Sequence, residues 1–181
     1  MGGVSNGSAM YVAHGTGSTS VQGFTVYENI LETGDSQAPT VSSVAVTSAT
    51  NAQNSLLNSG DVVSITATFD EAVTVNTSGG TPAIAISIGG VSRSATYNSG
   101  TGTTAIVFTY TIASSETADT DGISIGANAI SLNSGTMQDA AGNNATLTHN
   151  AVSANSSFKV DTDIPTISSV AIAANLSLIH I

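Results

Sequence analysis

Residues 62–69 read VVSITATF. Val63, Ile65, Ala67 and Phe69 fall on one side of an extended chain and Ser64, Thr66 and Thr68 on the other, the period-two signature of a half-buried strand. The same alternation recurs in AIAISI (83–88), which turns Ile84, Ile86 and Ile88 inward, and in AIVFTYTI (105–112), which does so with Ile106, Phe108, Tyr110 and Ile112. No segment sustains a helical period. Between these runs lie turn-forming clusters: NSG at 58–60, NTSGGTP at 76–82, GG at 89–90, NSGTG at 98–102 and DAAGN at 139–143.

The spacing predicts strands over 41–48, 62–70, 83–88, 92–97, 105–112, 123–132 and 145–160. About seven short strands with turns at this interval define an all-β fold, an immunoglobulin-like antiparallel β-sandwich. Composition agrees. Val, Ile and Ala supply the apolar half, while Ser, Thr, Asn and Gly solvate a surface in which only 8% of all residues are charged. There is no cysteine, so neither a disulfide framework nor thiolate metal ligands are available. Acids outnumber bases 12 to 2, for a formal net charge of −10. Such a chain is poorly suited to displace counterions from phosphates, which speaks against nucleic acid and anionic membranes as partners. No run reaches the roughly 18 apolar residues of a membrane span.

A near-duplication marks the domain boundaries. DSQAPTVSSVAV begins at Asp35, and DTDIPTISSVAI begins 126 positions later at Asp161. Each copy reads as an acidic linker, a proline that fixes φ (Pro39, Pro165) and a first strand. Residues 35–160 are therefore one module of ordinary domain size. Residues 1–34, with the apolar stretches AMYVA and VQGFTVYENIL, read as the closing hairpin of a preceding β domain. Residues 161–181 read as a linker and the first strand of a next repeat. Their tail LSLIHI (176–181) looks like the translation of a sequencing adapter in a metagenomic fragment, with a natural apolar tail as the other reading, and His180 receives no role.

The acids concentrate in turns and linkers. Up-and-down sandwich topology gathers Asp35, Asp70, Glu71 and Asp139 at one pole and Glu116, Asp119, Asp121, Asp161 and Asp163 at the other. Carboxylates converging without Lys or Arg repel one another, and a hard, oxygen-seeking cation such as Ca²⁺ relieves that repulsion. The competing reading is a set of solvated loop acids. DTDG (119–122) resembles part of an EF-hand loop but fails it, since Asn128 stands where the bidentate glutamate belongs.

Catalytic motifs fare worse. GISIG (122–126) fits the G-x-S-x-G pattern, with Asp139 and His149 following Ser124 in hydrolase order. That motif works only on a strained strand-to-helix turn, whereas Ile123 and Ile125 flank Ser124 as in a strand. The expectation is that this is not an enzyme. Three scattered histidines do not make a zinc site.

TFDEAVTV, ISLNSGTMQDAAGN and DTDIPTISSV, in that order, resemble the bacterial Ig-like tandem repeats of large secreted or surface-attached adhesins. The resemblance covers about residues 35–172, and DAAGN and D-x-x-x-P-T are its most specific parts. It implies an extracellular or cell-surface spacer, often calcium-dependent, whose partners are neighbouring repeats of the same chain and which supports adhesion or biofilm formation. Gly142 matches the family's turn glycine, and no catalytic residue transfers. The G-G-x-G-x-D nonapeptides that often close calcium-binding secreted adhesins do not occur. Two other readings stand beside it. The loops NTSGGTP or NSGTG would contact a surface glycan or host ligand, with Tyr97 and Tyr110 as the aromatic platform available within the sandwich strands. Alternatively the module is an accessory part of a secreted polysaccharide-degrading enzyme.

Overall fold

The structure is a computed structural model that describes residues 34–171. The hairpin expected within 1–34 and the adapter-like tail 176–181 lie outside the described residues, apart from Gly34. The chain clusters into two units, Met1–Ser36 and Gln37–Ile181, and all the strands among the described residues belong to the second.

Nine strands form among the described residues: β1 (Val41–Ala49), β2 (Leu56–Leu57), β3 (Val62–Asn76), β4 (Ala83–Ile88), β5 (Val91–Ser99), β6 (Thr103–Thr111), β7 (Ile130–Ser131), β8 (Thr136–Gln138) and β9 (Lys159–Val160). The main sheet runs β1-β3-β6-β5-β4-β7 with every pairing antiparallel, and β8 adds to the far half of β3. The order β1-β3-β6-β5 is that of the four-stranded layer of an immunoglobulin-like sandwich. The β4–β5 hairpin then curls the sheet, so that β4 and β7 form the facing layer. Among the described residues there is no helix, and hence none long and apolar enough to cross a membrane.

The expected alternation builds the core. Val63, Ile65, Ala67 and Phe69 are all buried, as are Ile84, Ile86, Ile88, Ile106 and Phe108. Ile112, Ile123, Ile125, Met137 and Val160 close the same cluster. Each fully buried Val, Ile or Phe contributes about 1.5–3 kcal/mol relative to exposure, which lets the sandwich hold without a disulfide.

Two expected strands are much reduced. Of 123–132, only isolated bridges at Ser124 and Ile125 and the two-residue β7 form. Asn128 adopts a left-handed φ of 54° between them and interrupts the run. Of 145–160, only bridges at Thr146 and Val152 and the two-residue β9 form. Ala145, Leu147 and His149 still alternate inward, so the face is set without a continuous ladder. Polar side chains compete for the backbone here: Asn155 Oδ1 accepts from Ser157 N at 3.0 Å, and Asn128 Oδ1 accepts from His149 N at 3.0 Å.

β3 is longer than expected and irregular. Thr68 pairs with Ala105, but Thr103 pairs with Val73 rather than with residue 70, so three extra residues bulge from β3. They are Asp70, Glu71 and Ala72. The chain enters at the Phe69 end of β3, where Thr40 meets Asp70, and leaves at the Val62 end, where β9 pairs β2 in parallel beside the Asn58–Asp61 turn. Entry and exit thus lie at opposite ends of the Val62–Phe69 run, about 23 Å apart at roughly 3.3 Å per residue.

Candidate functional site

At the entry pole the β3 bulge is the organising feature. Asp70 and Glu71 lie within a strand, not in a loop after one, and the bulge turns them out of the ladder. Beyond it, β3 pairs β8, with Thr74 opposite Gln138. That register delivers Asp139, the next residue, to Glu71, and the two carboxylates offer oxygens within 4.8 Å of each other. Within the sandwich Glu71 and Asp139 thus bring together carboxylate oxygens that could hold a metal ion. Asp35 is exposed and belongs to the unit ending at Ser36, Glu71 is half-buried and Asp139 is buried.

DAAGN closes around its own acid. Asp139 Oδ1 accepts from Asn143 N at 2.8 Å and Oδ2 from Asn143 Nδ2 at 2.7 Å, while Gly142 supplies a φ of 93°. Burial alone would raise the Asp139 pKa. The hydrogen bonds from the Asn143 side chain and backbone, with those from Gly142 and Ala141, outweigh it and hold the carboxyl below its ordinary value. Asn143 Nδ2 also donates to the Gln37 carbonyl at 3.0 Å, and Thr146 N donates to the Pro39 carbonyl at 2.7 Å, so this turn grips the incoming linker.

Asp70 does something else. Its carboxylate accepts from Thr40 N at 2.7 Å and from Thr40 Oγ1, fastening the start of β1 to β3. The Thr40 hydroxyl, then its backbone N–H, lower the Asp70 pKa. Both oxygens are thereby engaged. Thr40→Val is expected to raise the Asp70 pKa toward 3.8 in an NMR titration while leaving the sandwich folded.

The exit pole differs from the expectation of unneutralised acids. Both basic residues of the chain, Arg93 and Lys159, stand there. Arg93 Nε donates to both oxygens of Glu116 at 2.9 Å, and Tyr110 Oη donates to Glu116 Oε1. Asp119 is buried and holds two backbone amides, Gly89 N at 2.9 Å and Gly122 N at 2.8 Å. Asp119, Asp161 and Asp163 line an open cavity of about 260 Å³, with Lys159 among them. Asp163 N donates to Asp161 Oδ1 at 3.1 Å, and Asp121 is exposed. No motif in the sequence marks Arg93, Tyr110, Thr40 or Asn143 as partners of these acids. The scarcity of bases is the available signal, since one of the two cations among twelve acids, Arg93, is drawn to buried Glu116.

Burial pushes the Glu116 pKa up, but hydrogen bonds from Arg93 and Tyr110 and the Arg93 charge together hold it below 4.5. A depressed folded-state value contributes stability that is present above the unfolded value and lost as pH falls through the folded one. Removing the cation weakens this. In Arg93→Met the carboxyl keeps its burial and loses its largest lowering partner, so its pKa rises and less stability is lost on acidification than in the parent. Urea midpoints from neutrality down through pH 4.5 compare the two slopes.

The hydrolase-like constellation is occupied by structural roles. Ser124 exchanges backbone hydrogen bonds with Ser87, Asp139 is held by Asn143, and His149 Nε2 accepts from Ala129 N at 2.8 Å. The aromatic candidates are likewise engaged: Tyr97 packs edge-on against Phe108 at 6.5 Å and its hydroxyl accepts from Thr101 N, while Tyr110 serves Glu116. Comparison with protein-family models, with curated proteins and with solved structures returns no match to this chain.

Proposed function

We propose that the module is a structural spacer of a bacterial extracellular adhesin, joined to its neighbours end to end and stiffened at the entry joint by Ca²⁺. The observation that carries the reading is the placement of entry and exit at opposite ends of β3, with the acids of the β3 bulge and the DAAGN turn on the entry side. A module threaded this way adds its length to an array. The donor set there is all oxygen, as Ca²⁺ requires, and both bases of the chain are assigned to the other pole. Calcium is accordingly proposed at Glu71 and Asp139. Glu116 and Asp119 act as internal structural carboxylates, and Asp70 acts as a strand fastener.

A weak extracellular-type site has a dissociation constant on the order of 10⁻⁴ to 10⁻³ M. At a tenfold excess of calcium such a site stabilises the folded state by about 1.4 kcal/mol. Thermal melts of the chain with calcium and with EDTA are expected to differ by that amount, and Glu71→Gln is expected to abolish the difference whatever its own melting temperature. An equal calcium increment in Glu71→Gln removes the site. No increment in the parent removes calcium and leaves the spacer. The glycan-binding reading draws no support from Tyr97 or Tyr110, whose hydroxyls are committed within the sandwich.

A further inference from the structure

The imidazole of His149 is held by main chain at both of its nitrogens. Nε2 lies 2.8 Å from Ala129 N, and Nδ1 lies 2.8 Å from the Asn150 carbonyl oxygen. A backbone N–H only donates and a carbonyl only accepts, so Nε2 is the bare nitrogen and Nδ1 carries the hydrogen. The ring is neutral in this position. An imidazolium has a hydrogen on both nitrogens, and its Nε2–H would point straight at the Ala129 N–H.

The bond to Ala129 sits in a joint between segments. Asn128, with its left-handed φ of 54°, donates its N–H to the His149 carbonyl at 3.2 Å and accepts from His149 N at Oδ1. The Ala129 carbonyl in turn accepts from Ala85 N of β4 at 3.0 Å. The turn 127–129 thus ties the run 148–152 to the facing layer, and of these bonds only the one to the imidazole depends on a proton. Beside the ring is an open groove of about 610 Å³, lined by 41–44 of β1, 127–128 and 148–152. Apart from His149 itself, none of these residues is ionisable, and neither is any residue of β4 or β7. Among the described residues, therefore, no carboxylate in the surrounding segments pairs with a charged ring and no cation competes with it. The groove offers it room and water.

We propose that His149 is a proton-operated latch: neutral, it closes the 127–129 turn onto 148–152, and protonated, it swings into the groove and releases the Ala129 amide to water. The latch is shut while the ring is neutral and opens as pH falls through the interval in which an imidazole ordinarily gains its proton, about pH 8 to 5. The ladders β1–β3, β3–β6 and β5–β6 include none of these atoms, so the sandwich stays folded while one wall of the groove loosens.

The test follows the full chain by NMR in EDTA, which separates it from any calcium effect. At the alkaline end the imidazole ¹⁵N shifts of His149, assigned by their loss in His149→Gln, are expected to show Nδ1 protonated and Nε2 bare. As pH falls from about 8 to about 5, the exchange protection of the Ala129 amide, corrected for the intrinsic pH dependence of exchange, is expected to fall about fivefold or more, the worth of one hydrogen bond. The Ile65 and Phe108 amides, within the β3–β6 ladder, are expected to keep theirs. His149→Gln offers a side-chain carbonyl that does not titrate, so its Ala129 protection is expected to stay level across the range. His149→Leu offers no acceptor, and its Ala129 protection is expected to be low throughout. A neutral ring with its hydrogen on Nε2, Ala129 protection that does not change as the ring titrates, or an equal fall in His149→Gln would each overturn the proposal. So would a ring that stays neutral until the β3 and β6 amides are lost with it.

Discussion

Gly122→Ala is expected to destabilise the sandwich by more than about 3 kcal/mol, because two separate costs fall on one methyl group. Gly122 adopts a φ of 99°, where a side chain costs about 1–2 kcal/mol. A Cβ there would also lie 2.0 Å from the Asn155 carbonyl oxygen and 2.5 Å from its carbon, both backbone atoms that yield only if the chain moves. The movement propagates. Gly122 N donates to Asp119 Oδ1, Asp119 Oδ2 holds Gly89 N, and the Asp119 backbone exchanges bonds with Val160 at 2.8 and 3.0 Å. Gly142→Ala is the control. Its φ of 93° is similar, yet an added Cβ meets nothing within 4 Å, so only the conformational cost of about 1–2 kcal/mol applies. Urea unfolding of the two variants measures the gap, and equal losses would show that the Asn155 overlap relaxes freely.

Phe108→Ala is expected to cost about 3–5 kcal/mol. Phe108 is fully buried at the centre of β6, paired with Ile65 of β3 on one side and Tyr97 of β5 on the other. Its ring meets that of Tyr97 edge to face, with planes at 79°. Truncation removes that contact and leaves a cavity between strands already committed to their ladders, which limits collapse. The urea midpoint should fall with an unchanged slope, as for loss of stability without a change in the denatured state. Tyr97 fluorescence should report the vacated neighbour. A loss below about 1 kcal/mol would mean that the layers close over the gap.

What could be read from sequence depends on which forces are local. Val63 to Phe69, Ile84 to Ile88 and Ile106 to Ile112 reveal their strands because burial alternates with every residue, and the structure retains all three. The segments 123–132 and 145–160 carry the same alternation but not the same ladder. Alternation records which face is buried, and backbone pairing also depends on whether Asn128, Asn155 and Ser157 leave the amides free. The bulge at Asp70–Ala72 is invisible in the sequence because it arises from a mismatch between β3 and β6, two strands some thirty residues apart, and no local pattern encodes it. For the same reason the acids can be placed at their poles while their partners cannot. Topology assigns Glu116 and Asp119 to the exit end, but only packing reveals that Arg93 and two backbone amides already satisfy them.

The parallel pairing of β9 with β2 bears on how the module would respond to a pull on its two ends. Lys159 N bonds the Ser55 carbonyl at 2.9 Å and Asp161 N bonds the Leu57 carbonyl at 3.0 Å, across the line along which the chain departs. Tension on the departing chain therefore slides β9 along β2, so these bonds share the load and must break together rather than one after another. At the other end, Thr40 clasped by Asp70 and Pro39 held by Thr146 resist in the same manner. Under such a pull the limiting quantity would be the rate at which these end clamps shear, and the sandwich between them would pass the load from one to the other.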